Sequence, residues 1–299
     1  MGALVIGTRG SKLALCQARW VAGRLEAAGV KASIRVIRTT GDRQSGLPLA
    51  TLGRQQGVKG LFTKEIEDAL IDSSIDLAVH SLKDLPTDLD PRLELGCVPL
   101  RADPRDALVG RPCDQLAAGD RVGTGSPRRA ALLRELLPGT RVLDIRGNVD
   151  TRIRKLRSGE FDAIVLAAAG LARMGLDSEV AEYLDPDRMV PAIGQGALGI
   201  EVRAGDRRVL DAIKPLHDLA AAAEVQAERS LLRALGGGCE LPLGGHAEFN
   251  RGRLRLLAAA ARQGGGMARA EGSAPAGDAT KLGIRVAGAL RRNGADLRA

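Results

Sequence analysis

Aromatic side chains are almost missing from this chain of 299 residues, which has three Phe, one Trp and one Tyr. Hydrophobic residues still make up 44%, so the interior must be filled with Ala, Leu, Val and Ile. The shortage also argues against a nucleic-acid partner, because single-stranded binders interleave basic residues with stacking aromatics. Cysteine is scarce: Cys16, Cys97, Cys113 and Cys239 show neither CxxC spacing nor the density of a disulfide scaffold. The longest clearly apolar run, AIVLAAAGLA at 163–172, falls far short of the ~20 residues needed to span a bilayer. The start, MGALVIGTRGSKLAL, has no charged region leading into a long apolar segment, so no signal peptide is read there. The expectation is a soluble, cytoplasmic protein with no membrane partner. No metal site is expected either: His217 and His246 have no ligand spacing to Cys, Asp or Glu, and nothing resembles HExxH.

What is present is basic. Lys and Arg number 44 against 36 Asp and Glu, a net charge of +8, which points to anionic partners. The length suits more than one compact unit. Strand-like and helix-like stretches alternate: ALVIG (3–7), a helix over 11–29 with Leu13, Cys16, Trp20 and Leu25 near one face, SIRVIRT (33–39), a helix over 62–72, and IDLAVHS (75–81). A second series runs RVGTG (121–125), PRRAALLREL (127–136), RVLDIR (141–146), NVDTRIRKLRSG (148–159) and FDAIVLAAA (161–169). This rhythm implies parallel sheets covered on both faces. The third region begins with a helix over 217–235, continues through strand-like CELPLG, HAEF and RLRLLAAAA, and ends in a helix over 281–294. It reads as a small α+β domain.

Three strand-to-helix turns share one design. GTRGSK (7–12), GTGSPRR (123–129) and RGNVDTR (146–152) place Gly, Ser or Asn at the turn with arginine beside it. Ser126 before Pro127 is a strong helix start, and Asn148 can cap the next helix in the same way. A helix N-terminus offers free N–H groups to anions, and Arg9, Arg128, Arg129, Arg146 and Arg152 add forked donors that match carboxylates or phosphates. One such turn is an ordinary capped helix. Three at the carboxyl ends of parallel strands, where open α/β sheets bind ligands, imply a ligand with several negative charges. HSLKDLP (80–86) ends another strand, where Asp84 can stabilise a cation or move a proton and Lys83 can hold an anion. His80, alone near a buried strand, reads as structural. GQGALG (194–199) satisfies GxGxxG, but a strand-like IEVR follows instead of a helix, so the dinucleotide reading fails. In ALGGGCELPLGG (234–245), Cys239 follows Gly236, Gly237 and Gly238; the residues alone leave it either an incidental thiol or a functional one.

Taken in order, GTRGSKLAL, GVKGLFTKE, HSLKDLPT, DPRDAL, GTGSPRR, RGNVDTR, AAAGLARMGL, PAIGQGALGIE and GGCELPLG resemble the porphobilinogen deaminase (hydroxymethylbilane synthase) family of tetrapyrrole and heme biosynthesis, over residues 4 to about 246. The resemblance implies a transferase that condenses four porphobilinogen molecules, with loss of ammonia, into a linear tetrapyrrole passed on to uroporphyrinogen-III synthase. It implies a dipyrromethane cofactor attached through a thioether to Cys239, and a catalytic Asp84 at the pyrrole nitrogens. Lys83, Ser126, Arg128, Arg129 and Arg146 are expected to bind the cofactor; Arg9, Ser11, Arg152, Arg173, Phe62 and Lys59 are expected to bind substrate. The fold so implied is α/β, with two periplasmic-binding-protein-like lobes of parallel-dominated sheets plus a small α+β C-terminal domain, in a monomer. Domain 1 would be 1–98 and 197–215, domain 2 99–196, and domain 3 216–299. Three places depart from the family pattern. Gly125 stands where a second serine is usual, Gly236 stands where a glutamate is common, and the loop GRQQGV (53–58) is longer than expected. The alternative is a non-catalytic organic-polyanion-binding protein of the same fold.

Overall fold

Strands that are apolar at successive positions need cover on both faces. The structure, a computed structural model describing residues 2–40, 63–236, 241–262 and 265–296, meets that need twice with one layout. The chain divides into two compact units, Met1–Arg101 with Ala197–Ala222, and Ala102–Gly196 with Ala223–Ala299.

In the first unit, strands β1 (Leu4–Thr8), β2 (Ala32–Val36), β3 (Leu77–Ser81), β4 (Leu93–Cys97) and β10 (Leu198–Arg203) form a sheet in the order β2-β1-β3-β10-β4. The first three are parallel, while β10 is antiparallel to both of its neighbours. Alternation along each strand divides the core. Leu4, Ile6, Leu77 and Val79 pack with Ala18, Val21 and Leu25 of helix α1 (Lys12–Ala27) and Val209 and Ile213 of helix α6 (Arg207–Ile213). Val5 and Ala78 meet Ile66 and Leu70 of helix α2 (Lys64–Ile71) on the other face. The buried face of α1 is Ala14, Gln17, Ala18, Val21 and Leu25, which corrects the face expected from Leu13, Cys16 and Trp20. Trp20 is exposed, with the Arg24 guanidinium over its ring at 5.3 Å.

The second unit repeats the plan. Strands β5 (Asp106–Gly110), β6 (Arg121–Gly123), β7 (Arg141–Leu143), β8 (Ala163–Ala167) and β9 (Val180–Tyr183) lie in the order β7-β6-β8-β5-β9. Again three strands are parallel, and one, β5, is antiparallel to both neighbours. Helices α3 (Pro127–Leu136), α4 (Val149–Arg157) and α5 (Ala168–Arg173) follow β6, β7 and β8. Both sheets are therefore mixed, parallel on one side, each with one antiparallel strand set in.

The rest of this unit is a three-stranded antiparallel sheet, β11 (Leu243–Asn250), β12 (Arg253–Ala261) and β13 (Met267–Pro275), with helix α7 (Leu219–Ala234) from Ala223 onward and helix α8 (Ala279–Arg292). Leu254, Leu256 and Ala258 pack on Leu231, Leu282, Val286 and Leu290. Leu257, Ala259 and Met267 join the core around Leu132 and Leu133 of α3. These cores are aliphatic, as the composition requires; Phe161 is the aromatic residue among the buried hydrophobics of the described residues. No helix of the described residues is long and apolar enough to cross a membrane.

Candidate active site

In the first unit, β1 and β3 are parallel neighbours, so the turns that follow them emerge at the same sheet edge. The turn after β1 carries Arg9 and Ser11. Ser11 is the N-cap of α1 and accepts from Ala14 N–H at 3.3 Å. The turn after β3 is a single 3-10 turn, Leu82–Asp84. Leu82 plugs the core, Lys83 is half-buried and Asp84 is exposed. Behind this turn, Gln17 of α1 donates to the Ser81 hydroxyl at 2.7 Å. His80 is buried against Glu201 of β10, with 3.0 Å between Nε2 and Oε2, in agreement with a structural role.

In the second unit, the turns after β6, β7 and β8 likewise leave one edge of three parallel strands. Ser126 caps α3, its hydroxyl accepting from Arg129 N–H at 3.4 Å. Asn148 holds the corresponding place before α4 but makes no capping bond through its side chain, which corrects the expectation of a cap like that of Ser126. Arg146 is paired with Asp144 at 2.8 Å. Gly125 sits where an added Cβ would lie 2.8 Å from the Ile145 carbonyl oxygen, so a serine at this position would crowd the main chain.

Arg128 and Arg129 are buried despite their charge, and one residue accounts for both. Asp106, at the start of β5 and fully buried, accepts from Arg128 Nη1 at 2.8 Å and from Arg129 Nε and Nη2 at 3.0 and 2.7 Å. Gln195 donates to the same carboxylate at 2.8 Å and to the Pro104 carbonyl at 2.7 Å. Burial alone would raise the Asp106 pKa, but the two guanidinium charges outweigh it and hold the carboxyl well below the usual carboxylate range. Burial lowers the Arg128 pKa, and its Nε–H has no hydrogen-bond partner. Two buried cations thus share one anion. Neither Asp106 nor Gln195 was singled out from sequence. The signal was there, an aspartate opening a buried strand in DPRDAL and a glutamine inside the discarded GQGALG, but only tertiary contact joins them to the arginines.

Arg152 and Arg173 complete the set. Each is half-buried and donates one hydrogen bond to a main-chain carbonyl, Arg152 to Gly147 at 2.8 Å and Arg173 to Gly196 at 2.7 Å. Neither has a carboxylate partner among the described residues. Burial pulls both pKa values down to about 10, helped at Arg152 by the charges of Arg129 and Arg146. Desolvated guanidinium groups with spare N–H donors and no ion-paired carboxylate among the described residues suit carboxylates brought by a ligand. This donor set fits an acidic dipyrromethane. Lys59, Phe62 and Cys239 lie outside the described residues, so the structure brings together Arg9, Ser11, Lys83 and Asp84 in one unit, and Ser126, Arg128, Arg129, Arg146, Arg152 and Arg173 in the other. Among the described residues no group of three or more His, Cys, Asp or Glu is placed to hold a metal ion.

Residues 4–211 match the family model described as porphobilinogen deaminase, dipyromethane cofactor binding domain, and residues 222–292 match the porphobilinogen deaminase C-terminal domain. The porphobilinogen deaminase of Syntrophobacter fumaroxidans is 49% identical over 97% of this chain and 94% of its own. That of Syntrophotalea carbinolica is 49% identical over 98% and 94%, and that of Roseiflexus sp. 48% over 97% and 96%. Among solved structures, a periplasmic substrate-binding protein from Coxiella burnetii aligns over 74% of this chain and 94% of its own at 15% identity, with a TM-score of 0.43. The chain belongs to the porphobilinogen deaminase family.

Proposed function

We propose that this chain is a hydroxymethylbilane synthase, a transferase that joins four porphobilinogen molecules head to tail, with loss of ammonia, into a linear tetrapyrrole. Family membership supports the reaction. The half-buried guanidinium groups of Arg152 and Arg173, neither in an ion pair among the described residues, support a substrate that brings its own carboxylates. When bound, dipyrromethane supplies the pyrrole α-carbon from which the chain is extended, and we assign its thioether to Cys239. Asp84 offers an exposed carboxylate at a strand end. It stabilises the positive charge left on the substrate as ammonia departs and takes part in the loss of the pyrrole proton, a contribution of typically ~10²–10⁴-fold. Lys83, Ser126, Arg128, Arg129 and Arg146 hold cofactor carboxylates. Of these, Arg128 and Arg129 do so through the N–H groups that Asp106, Gln195 and the Val165 and Val190 carbonyls leave over. Arg9, Ser11, Arg152, Arg173 and Lys59 hold substrate carboxylates, and Phe62 stacks on a pyrrole. The working enzyme is a cytoplasmic monomer of three domains, 1–98 with 197–215, 99–196 and 216–299, and its product passes to uroporphyrinogen-III synthase.

The test is the intact mass of the purified protein beside a Cys239→Ala variant, with an aldehyde colour test for pyrroles on both. The expected result is a covalent increment of two porphobilinogen units less two ammonia molecules, present only when Cys239 is there. An unmodified mass that stays unmodified after incubation with porphobilinogen would sink the proposal and leave a binding protein for organic polyanions.

A further inference from the structure

Strands β11 and β12 are joined by two residues, Arg251 and Gly252, between the paired Asn250 and Arg253. Both take the left-handed region, with φ of 47° and 80°, the backbone of the type I′ turn that suits hairpin twist. Asn, Asp or Gly at the first position fits that turn without cost, whereas an arginine drives its Cβ against the following carbonyl. Strain of this kind persists where a side chain serves another purpose.

The side chains at this end of the sheet surround Arg251 with polar neighbours. Register sets Glu248 opposite Arg255, Asn250 opposite Arg253, and Arg255 opposite Ser273. Alternation puts these residues on the face turned away from Leu254 and Leu256, and so away from the core against α7 and α8. With Arg251, and with Leu254 at its floor, they line an open surface concavity of about 390 Å³, within the volume range of small-molecule sites. Arg255 is neutralised by Asp187 and Glu271, at 3.1 and 2.9 Å. Arg251 and Arg253 are exposed and have no acidic partner among the described residues. None of these residues belongs to the strand-end turns of the candidate active site.

We propose that this hairpin concavity is a second, independent binding site for a small molecule bearing one oxyanion group, a carboxylate or a phosphate. It would be gripped by Arg251 and Arg253, with Ser273 and Asn250 supplying neutral donors. Two guanidinium forks match one such group with paired N–H bonds. The site does not depend on the deaminase chemistry.

The test uses the full chain, labelled with ¹⁵N and titrated separately with inorganic phosphate and with propionate. The expected result is saturable shifts of the Asn250, Gly252, Arg253 and Ser273 amides with at least one probe; which probe saturates names the group. In the double variant Arg251→Asn/Arg253→Gln, affinity should fall at least about tenfold, as expected for losing a charge-assisted hydrogen-bonded pair. Arg251→Asn suits the turn, so the variant should fold with an equal or higher Tm and unchanged turnover. Absence of saturable shifts at these amides with both probes, or undiminished affinity in the double variant, overturns the site.

Discussion

Asp84 and Asp106 are both carboxylates at strand ends, and their surroundings give them opposite tasks. Asp84 is exposed and makes no hydrogen bond among the described residues. Asp84→Asn should therefore leave thermal stability within about 0.5 kcal/mol of the parent while turnover falls by ~10²–10⁴. Melting curves and steady-state rates on the same preparation check this, and near-normal rates would remove Asp84 from the mechanism. Asp106 has the opposite profile. Losing its charge leaves Arg128 and Arg129 buried without a counter-ion, a loss on the order of 3–5 kcal/mol. The sign of the pH dependence follows from the lowered carboxyl. A group with a folded pKa below its unfolded value of about 3.9 contributes stability above that value and loses it as pH falls toward the folded one. Asp106→Asn should accordingly be destabilised at neutral pH and show a shallower loss of stability below about pH 4. An acid limb parallel to that of the parent would contradict the assignment.

Elements were the most legible level of the sequence, and the misses have physical causes. Helix α3 begins and ends where Ser126, Pro127 and the arginine-leucine periodicity put it, because a cap followed by proline is a local signal. Strands β4, β5, β9 and β13 were not read. In β13, MARAEGSAP, small and charged residues alternate on a half-exposed edge, and only register with β12 makes it a strand. Of the candidate site, the strand-end turns were readable because glycine, serine and arginine cluster there. The Asp106–Gln195 network was not, because its partners lie up to 89 positions apart. One helix position also defies its propensity. Gly283 lies inside α8, where alanine would normally gain about 1 kcal/mol. A Cβ there would stand 2.5 Å from the Ala227 carbonyl oxygen and 2.6 Å from Leu231 N, main-chain atoms of α7 that cannot swing aside. Gly283→Ala should thus destabilise, by roughly 1–3 kcal/mol from overpacking. A Tm equal to or above the parent's would show that the two helices can separate at little cost.

At the scale of the whole molecule, the first sheet is completed by chain that arrives late. Residues 1–101 supply β1 to β4, yet among the described residues β4 pairs only with β10. Without β10 the sheet loses its bridge between β3 and β4, and the core loses Leu198, Ile200 and Val202. A fragment of residues 1–101 should therefore fail to melt cooperatively, since an unpaired edge and an open core remove what sets its stability. The intervening 102–196 should not be needed to bring β10 into place. Ala102 N–H donates to the Gly196 carbonyl at 3.2 Å, so the two ends of that insertion are already side by side, and closing a short loop there costs little entropy. A chain in which 1–101 is joined to 197–222 through a few glycines should form the five-stranded sheet with a single cooperative transition and protected amides in β3 and β10. If its amides exchange as fast as those of the 1–101 fragment, the first sheet depends on the second unit, and two independently stable units are the wrong description.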